Sequence, residues 1–86
     1  MIINGIDYTG CRVTLNHVIK AKIFTPDNRG YCVPGMRAFA KANGLDFGKF
    51  VREGILLEDF IKFENDNMAK KVIQEAKKQW VAEVAL

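Results

Sequence analysis

Cys11, His17 and Cys32 are the only soft metal ligands and the strongest nucleophile and base candidates in this sequence. Thiolates and imidazoles hold Zn²⁺, and an imidazole beside a thiol or carboxylate works as a general base. Their spacing supports neither use. There is no C-x-x-C, the intervals are long, and a tetrahedral site would need a fourth ligand from Asp7 or Asp27. His17 falls on an expected helix and reads as a partly exposed polar residue. Cys32 precedes an expected helix start, where free N–H groups favour a thiolate, although capping or core packing accounts for it more simply. Glu58, Asp59, Glu64 and Asp66 form the densest acidic cluster, but they lack the alternating oxygen ligands of a calcium loop and read as a solvated edge. The string GYCVPG lacks the lysine and hydroxyl of a phosphate-binding loop. No cofactor or metal is expected, and the chain reads as a non-enzyme.

The elements that must position these residues belong to one small domain. The chain has 86 residues, 49% of them hydrophobic and 27% charged, with six phenylalanines and two prolines, a composition that opposes disorder. It contains no apolar run long enough to span a bilayer, and its opening MIINGIDYTG lacks the pattern of an export signal. The expected setting is therefore cytoplasmic, with reduced thiols and no membrane partner. Residues 1–44 carry six basic against two acidic side chains, giving +4, whereas residues 45–86 carry seven against eight, giving −1. A basic front half can meet an anionic surface.

Asn4-Gly5 between Ile2-Ile3 and Ile6-Asp7-Tyr8 predicts a small β-hairpin. Thr14 can cap a helix with Leu15, Val18 and Ile19 on its apolar face, although the β-branched content of TLNHVIKAKIF also allows a strand. TPDNRGY reads as a loop. Pro34 suits the first turn of a second helix, with Met36, Phe39, Ala40 and Asn43 on one face. Gly44 falls where a left-handed residue closes that helix, and Leu45 should fold back on Phe39 or Ala40. Asp46 caps a third helix with an apolar face of Phe47, Phe50 and Val51, ended by Gly54. ILLEDFIKF reads as a fourth helix, with Leu56, Leu57, Phe60 and Ile61 on one side. Asn65 or Asp66 then starts the longest, whose stripe is Ala69, Val72, Ile73, Ala76, Trp80 and Val84. The fold class expected is mainly α: a compact bundle of four to five short helices with a small N-terminal β-hairpin. Phe39, Phe47, Phe50, Phe60, Phe63 and Ile73 are expected in its core.

Two surfaces stand out for binding. A last helix over residues 66–84 would be about 28 Å long. Its end either overhangs, offering Trp80, Val81, Val84 and Leu86 to another protein or a second copy, or closes with Trp80 against the hairpin. Tyr31 adds a possible contact from the loop. FAKANGLDFGKF has the small residue, turn glycine and buried apolar residue of a helix-turn-helix. On its second helix, however, Asp46, Gly48, Lys49, Arg52 and Glu53 would face a groove, with no Asn, Gln, Ser or Thr among them. Asp46 and Glu53 would also oppose the phosphates, and a plain αα-corner, whose glycine closes one helix and lets the next cross tightly, explains the pattern better. DNA contact would fall to Lys49 and Arg52, supported by Arg37 and Lys41, and would require Lys49 and Arg52 to point outward and unpaired.

The run CVPGMRAFAKANGLDFGKFVREGI, residues 32–55, resembles a group of small proteins of unassigned chemistry encoded by tailed bacteriophages and prophages. Cys32, Gly35, Arg37, Phe39, Gly44, Leu45, Asp46, Phe50 and Gly54-Ile55 carry the resemblance, and residues 68–76 are more loosely similar. TPDNRG is longer than the matching link in that group. The resemblance implies an accessory or assembly role inside a bacterial host and transfers no catalytic residue. The function expected is a non-enzymatic protein–protein interaction module, with a helix-turn-helix-like DNA-binding accessory protein as the alternative.

Overall fold

The computed structural model describes residues 1–21 and 33–85. Among these, five short helices pack as a bundle against an N-terminal antiparallel hairpin, the architecture expected from the sequence. The hairpin pairs β1 (Ile2–Ile3) with β2 (Ile6–Asp7) around Asn4 and Gly5, both at positive φ (51° and 83°). That is the mirror-image turn whose twist suits a two-residue hairpin. Ile3 and Ile6 lie opposite each other and pack on the core, while Ile2 faces solvent at 71% exposure.

A second pairing was not legible in the sequence. β3 (Arg12–Val13) runs antiparallel to β4 (Ile55–Leu56), with Arg12 opposite Leu56 and Val13 opposite Ile55. The helix expected over residues 55–63 is therefore shorter: Leu57–Phe60 form α4, and a 3-10 turn covers Ile61–Phe63. Backbone pairing with a segment some forty residues earlier overrides the helical periodicity there, and Leu57 N–H donates to Cys11 O at 2.8 Å. Val13 and Leu57, on either side of this pairing, are the two large side chains most completely removed from solvent.

α1 (Leu15–Ala21) is a helix as expected, but its buried face is rotated. His17 and Val18 are buried, Leu15 is half-buried and Ile19 is exposed. α2 (Val33–Ala42) has Pro34 in its first turn and buries Met36 and Ala40, with Phe39 half-buried, whereas Asn43 lies exposed beyond its end. Gly44 closes the helix at φ 69°. Leu45 N–H donates to Ala40 O at 2.8 Å and Gly44 N–H to Lys41 O at 3.4 Å, the paired bonds of a Schellman motif. Leu45, half-buried, walls the same apolar cleft as Phe39 and Ala40.

Asp46 caps α3 (Phe47–Glu53) by accepting from Lys49 N–H at 3.0 Å. Phe50 is buried and Phe47 half-buried, but Val51 is exposed rather than part of the apolar face: the seven-residue helix turns only a narrow stripe inward. Asp66 caps α5 (Asn67–Trp80), accepting from the N–H groups of Met68 and Ala69. Ala69, Val72, Ile73 and Ala76 form its buried stripe, and the chain continues as one π-helical turn over Val81–Ala85. Of the six residues expected in the core, Phe50, Phe60 and Ile73 are buried. Phe39, Phe47 and Phe63 are half-buried and pack on the core, with Phe63 edge-on to both Phe39 and Phe60.

Gly54 imposes the tightest local constraint. It is buried at φ 74°, ψ −175°, a region essentially confined to glycine, and a Cβ there would meet Val13 O at 2.8 Å. Gly44 also has positive φ, but its Cβ would enter open space. Chemical denaturation should therefore rank the variants: Gly44→Ala loses about 1 to 2 kcal/mol from the left-handed backbone alone, and Gly54→Ala loses about 3 kcal/mol or more from strain plus collision. Leu45→Ala is expected at about 2 to 3 kcal/mol because its side chain is only half-buried. Equal costs at the two glycines would contradict the β3–β4 geometry.

Candidate functional site

Trp80 lies on the last turn of α5, and its indole Nε1–H donates to Asp7 O on the hairpin at 2.9 Å. The ring also lies against Gly10, and the residue is half-buried among core neighbours. Trp80 thus closes against the hairpin rather than overhanging. Val81 is likewise half-buried, whereas Val84, one turn beyond Trp80, is 58% exposed and so leaves the buried stripe of α5. Ile2 sits opposite Asp7 across the hairpin and is exposed. Ile2 and Val84 are thus solvent-facing aliphatic side chains on the hairpin and the π-helical turn, the two elements that meet beside Trp80. Tyr31, Cys32 and Leu86 lie outside the described residues.

Beside Trp80 is an open polar groove walled by Arg12, Thr14, Asn16, His17, Gln79 and Glu83 among others. His17, expected to be partly exposed, is buried at 5% exposure because α1 turns this side toward α5. Thr14 N–H donates to His17 Nδ1 at 2.9 Å, which leaves Nδ1 without a proton and makes Nε2 the protonated nitrogen. Nε2–H donates to Gln79 Oε1, and Gln79 Nε2 donates to Glu83 Oε1 at 3.1 Å. His17 thereby serves as the third residue of a capping box, reaching back to the backbone N–H of the capping position. Burial pushes its pKa down, and Lys20 pushes the same way; the Gln79 hydrogen bond, Glu75 and Glu83 act in the opposite sense. No buried polar atom of the relay lacks a partner, and the His17–Gln79 bond fastens α1 to α5. Cys11 also lines this groove, and burial raises its thiol pKa, which disfavours the reactive thiolate.

The four cations expected at the helical corner are all exposed: Arg37 and Lys41 on α2, Lys49 and Arg52 on α3. Among the described residues none of them has a carboxylate within ion-pair distance. Arg37 lies over the Phe47 ring at 5.5 Å, a cation–π contact that sets its guanidinium beside the first residue of α3. Glu58, Asp59, Glu64 and Asp66 are solvent-exposed, and Asp66 is used as a helix cap. The apolar cleft walled by Met36, Phe39, Leu45, Phe50, Phe60 and Met68 offers no polar group to orient a substrate among its described lining. Among the described residues no three potential metal ligands come together, and no helix is long and apolar enough to cross a membrane.

The buried imidazole generates a pH dependence with a definite sign. Its folded pKa lies below the ordinary value near 6.5, so between the two values the unfolded chain binds more protons. The stability contributed by neutral His17 is complete above about pH 6.5 and is lost as pH falls through the folded pKa. Asp7, whose carboxyl is held low by the Thr9 hydroxyl and backbone N–H, loses its contribution only in the more acidic carboxylate range. Urea denaturation across the pH range should show the His17 step, and His17→Gln should abolish it while leaving the Asp7 step in place.

Compared with known proteins, the chain matches no family model, no curated sequence and no solved structure.

Proposed function

We propose that the chain is a non-enzymatic accessory or assembly protein of the tailed-phage kind, acting in the bacterial cytoplasm by protein–protein contact through the end where the hairpin meets α5. One observation carries this reading: Ile2 and Val84, 71% and 58% exposed, belong to the hairpin and the π-helical turn, the two elements that meet where the Trp80 indole is hydrogen-bonded to Asp7 O. Exposed aliphatic groups on elements joined by an anchored aromatic have the composition of an interface, and the anchoring lowers the entropy lost on binding. Asp7 O takes the indole N–H at the β2 side of the hairpin, and β1 forms its other edge. A strand edge carrying an apolar side chain is a surface that a second copy can cover isologously, because one self-complementary patch serves both partners. A second copy is accordingly the partner assigned. The resemblance of residues 32–55 to phage-encoded accessory proteins supports the biological setting.

Sedimentation velocity over a concentration series tests the assignment. The chain is expected to dimerise, and Ile2→Asp with Val84→Asp to remain monomeric with stability changed by no more than about 0.5 kcal/mol per site, since both side chains are exposed. Trp80→Ala is expected to behave differently, losing about 2 to 4 kcal/mol because the hairpin loses its anchor. A wild-type chain that stays monomeric at every concentration removes the second copy as partner.

A further inference from the structure

We infer that the corner formed by α2, residues 43–46 and α3 docks on the phosphate backbone of duplex DNA, with Lys49 and Arg52 as its central contacts and Arg37 and Lys41 beside them. This surface is built from different elements than the Trp80 end, so either can hold without the other. Phe47 and Phe50 fix α3 against the core, which turns Gly48, Lys49 and Arg52 outward. The four cations are exposed, and none has a carboxylate within ion-pair distance among the described residues. Asp46 accepts from the Lys49 backbone N–H and keeps its charge; its Oδ1, 3.4 Å from the point a Gly48 Cβ would occupy, lies on the same side of the helix start as Arg52 Nη1 without reaching ion-pair distance. Glu53 is the remaining acid of α3, at its last position.

Two further features shape the surface. An Arg52 guanidinium nitrogen, Nη1, lies 3.1 Å from the point a Cβ on Gly48 would occupy, so the missing side chain is what lets Arg52 lie along the helix. Arg37, resting on the Phe47 ring, adds a positioned cation at the other side of the turn. Arg37 and Lys41, one turn apart on α2, and Lys49 and Arg52, one turn apart on α3, give the corner exposed positive charge suited to the anionic backbone of a duplex. The outward face of α3 offers no amide or hydroxyl side chain, and Asn43 in the turn spends its amide on Phe39 O at 2.8 Å. The contact is therefore with phosphates and does not read bases.

Fluorescence anisotropy with a labelled duplex of mixed sequence tests this on the whole chain. Micromolar binding is expected at about 50 mM salt, weakening about 40- to 150-fold by about 200 mM if three to four phosphates are neutralised. A second duplex of unrelated sequence should bind equally well. Lys49→Glu with Arg52→Glu should cost at least about tenfold, while Lys70→Glu with Lys71→Glu, an equal charge change at exposed positions on α5, should cost no more than about threefold. Gly48→Ala should weaken binding several-fold through displaced Arg52 without lowering the melting temperature, because alanine is the better helix former. Circular dichroism checks that each variant is folded, and the wild-type salt titration needs no variant. Absence of binding at micromolar protein and about 50 mM salt, or equal losses in the α3 and α5 variants, would overturn the inference.

Discussion

The turn at Gly54 is the constraint on which the rest of the structure depends. Only a residue without a Cβ can adopt its backbone angles and approach the Val13 carbonyl so closely. That approach sends the chain from α3 into β4, where Ile55 pairs with Val13 and Leu57 N–H reaches Cys11 O. Arg12 adds a hydrogen bond to Glu53 O across the same junction. A segment from the first fifteen residues is thereby fixed between α3 and α4, and Val13 and Leu57 are driven to the centre of the core. Two strands of two residues each would not persist alone in water; here they persist because both flanks are buried against helices.

α5 then holds the N-terminal third in place by two polar fasteners on one side of the molecule. The Trp80 indole is bonded to the hairpin and His17 to Gln79, while the Ala69, Val72, Ile73 and Ala76 stripe supplies the apolar contact between them. Both fasteners join groups that would be costly to bury unpaired, so each is directional in a way that aliphatic packing is not. His17 also fixes the start of α1 through Thr14. Its protonation would place a second donor against the Thr14 N–H, which is why the same interaction that stabilises the fold at neutral pH weakens it in acid.

The two surfaces left over have different physical characters because different elements produce them. At the hairpin end, π-helical winding after Trp80 carries Val84 away from the core, and the alternation of β1 turns Ile2 outward. At the corner, a Schellman turn followed at once by an Asp46 cap sets α3 across α2 with no slack, and the narrow apolar stripe of a seven-residue helix leaves its cations in solvent. One end is apolar and the other basic, so the two surfaces would favour different kinds of contact.

The elements governed by local chemistry were determined by the sequence itself. The Asn4-Gly5 hairpin, the Gly44 and Leu45 closure of α2, the Asp46 and Asp66 caps and the buried stripe of α5 through Ala76 all depend on residues within a few positions of each other. The corner cations were legible for the same reason, since Phe47 and Phe50 fix which side of α3 faces out. What required tertiary structure was every feature whose partner lies far along the chain. β4 was hidden in a helical periodicity because its pairing partner is β3, and the face of α1 that buries His17 was decided by Gln79, 62 residues away. Trp80 had two equally reasonable readings in isolation, and only the position of Asp7 O, 73 residues earlier, selected the closed one. Local spacing encodes turns, caps and stripes, whereas the choice of partner depends on how the whole chain shares a single small core.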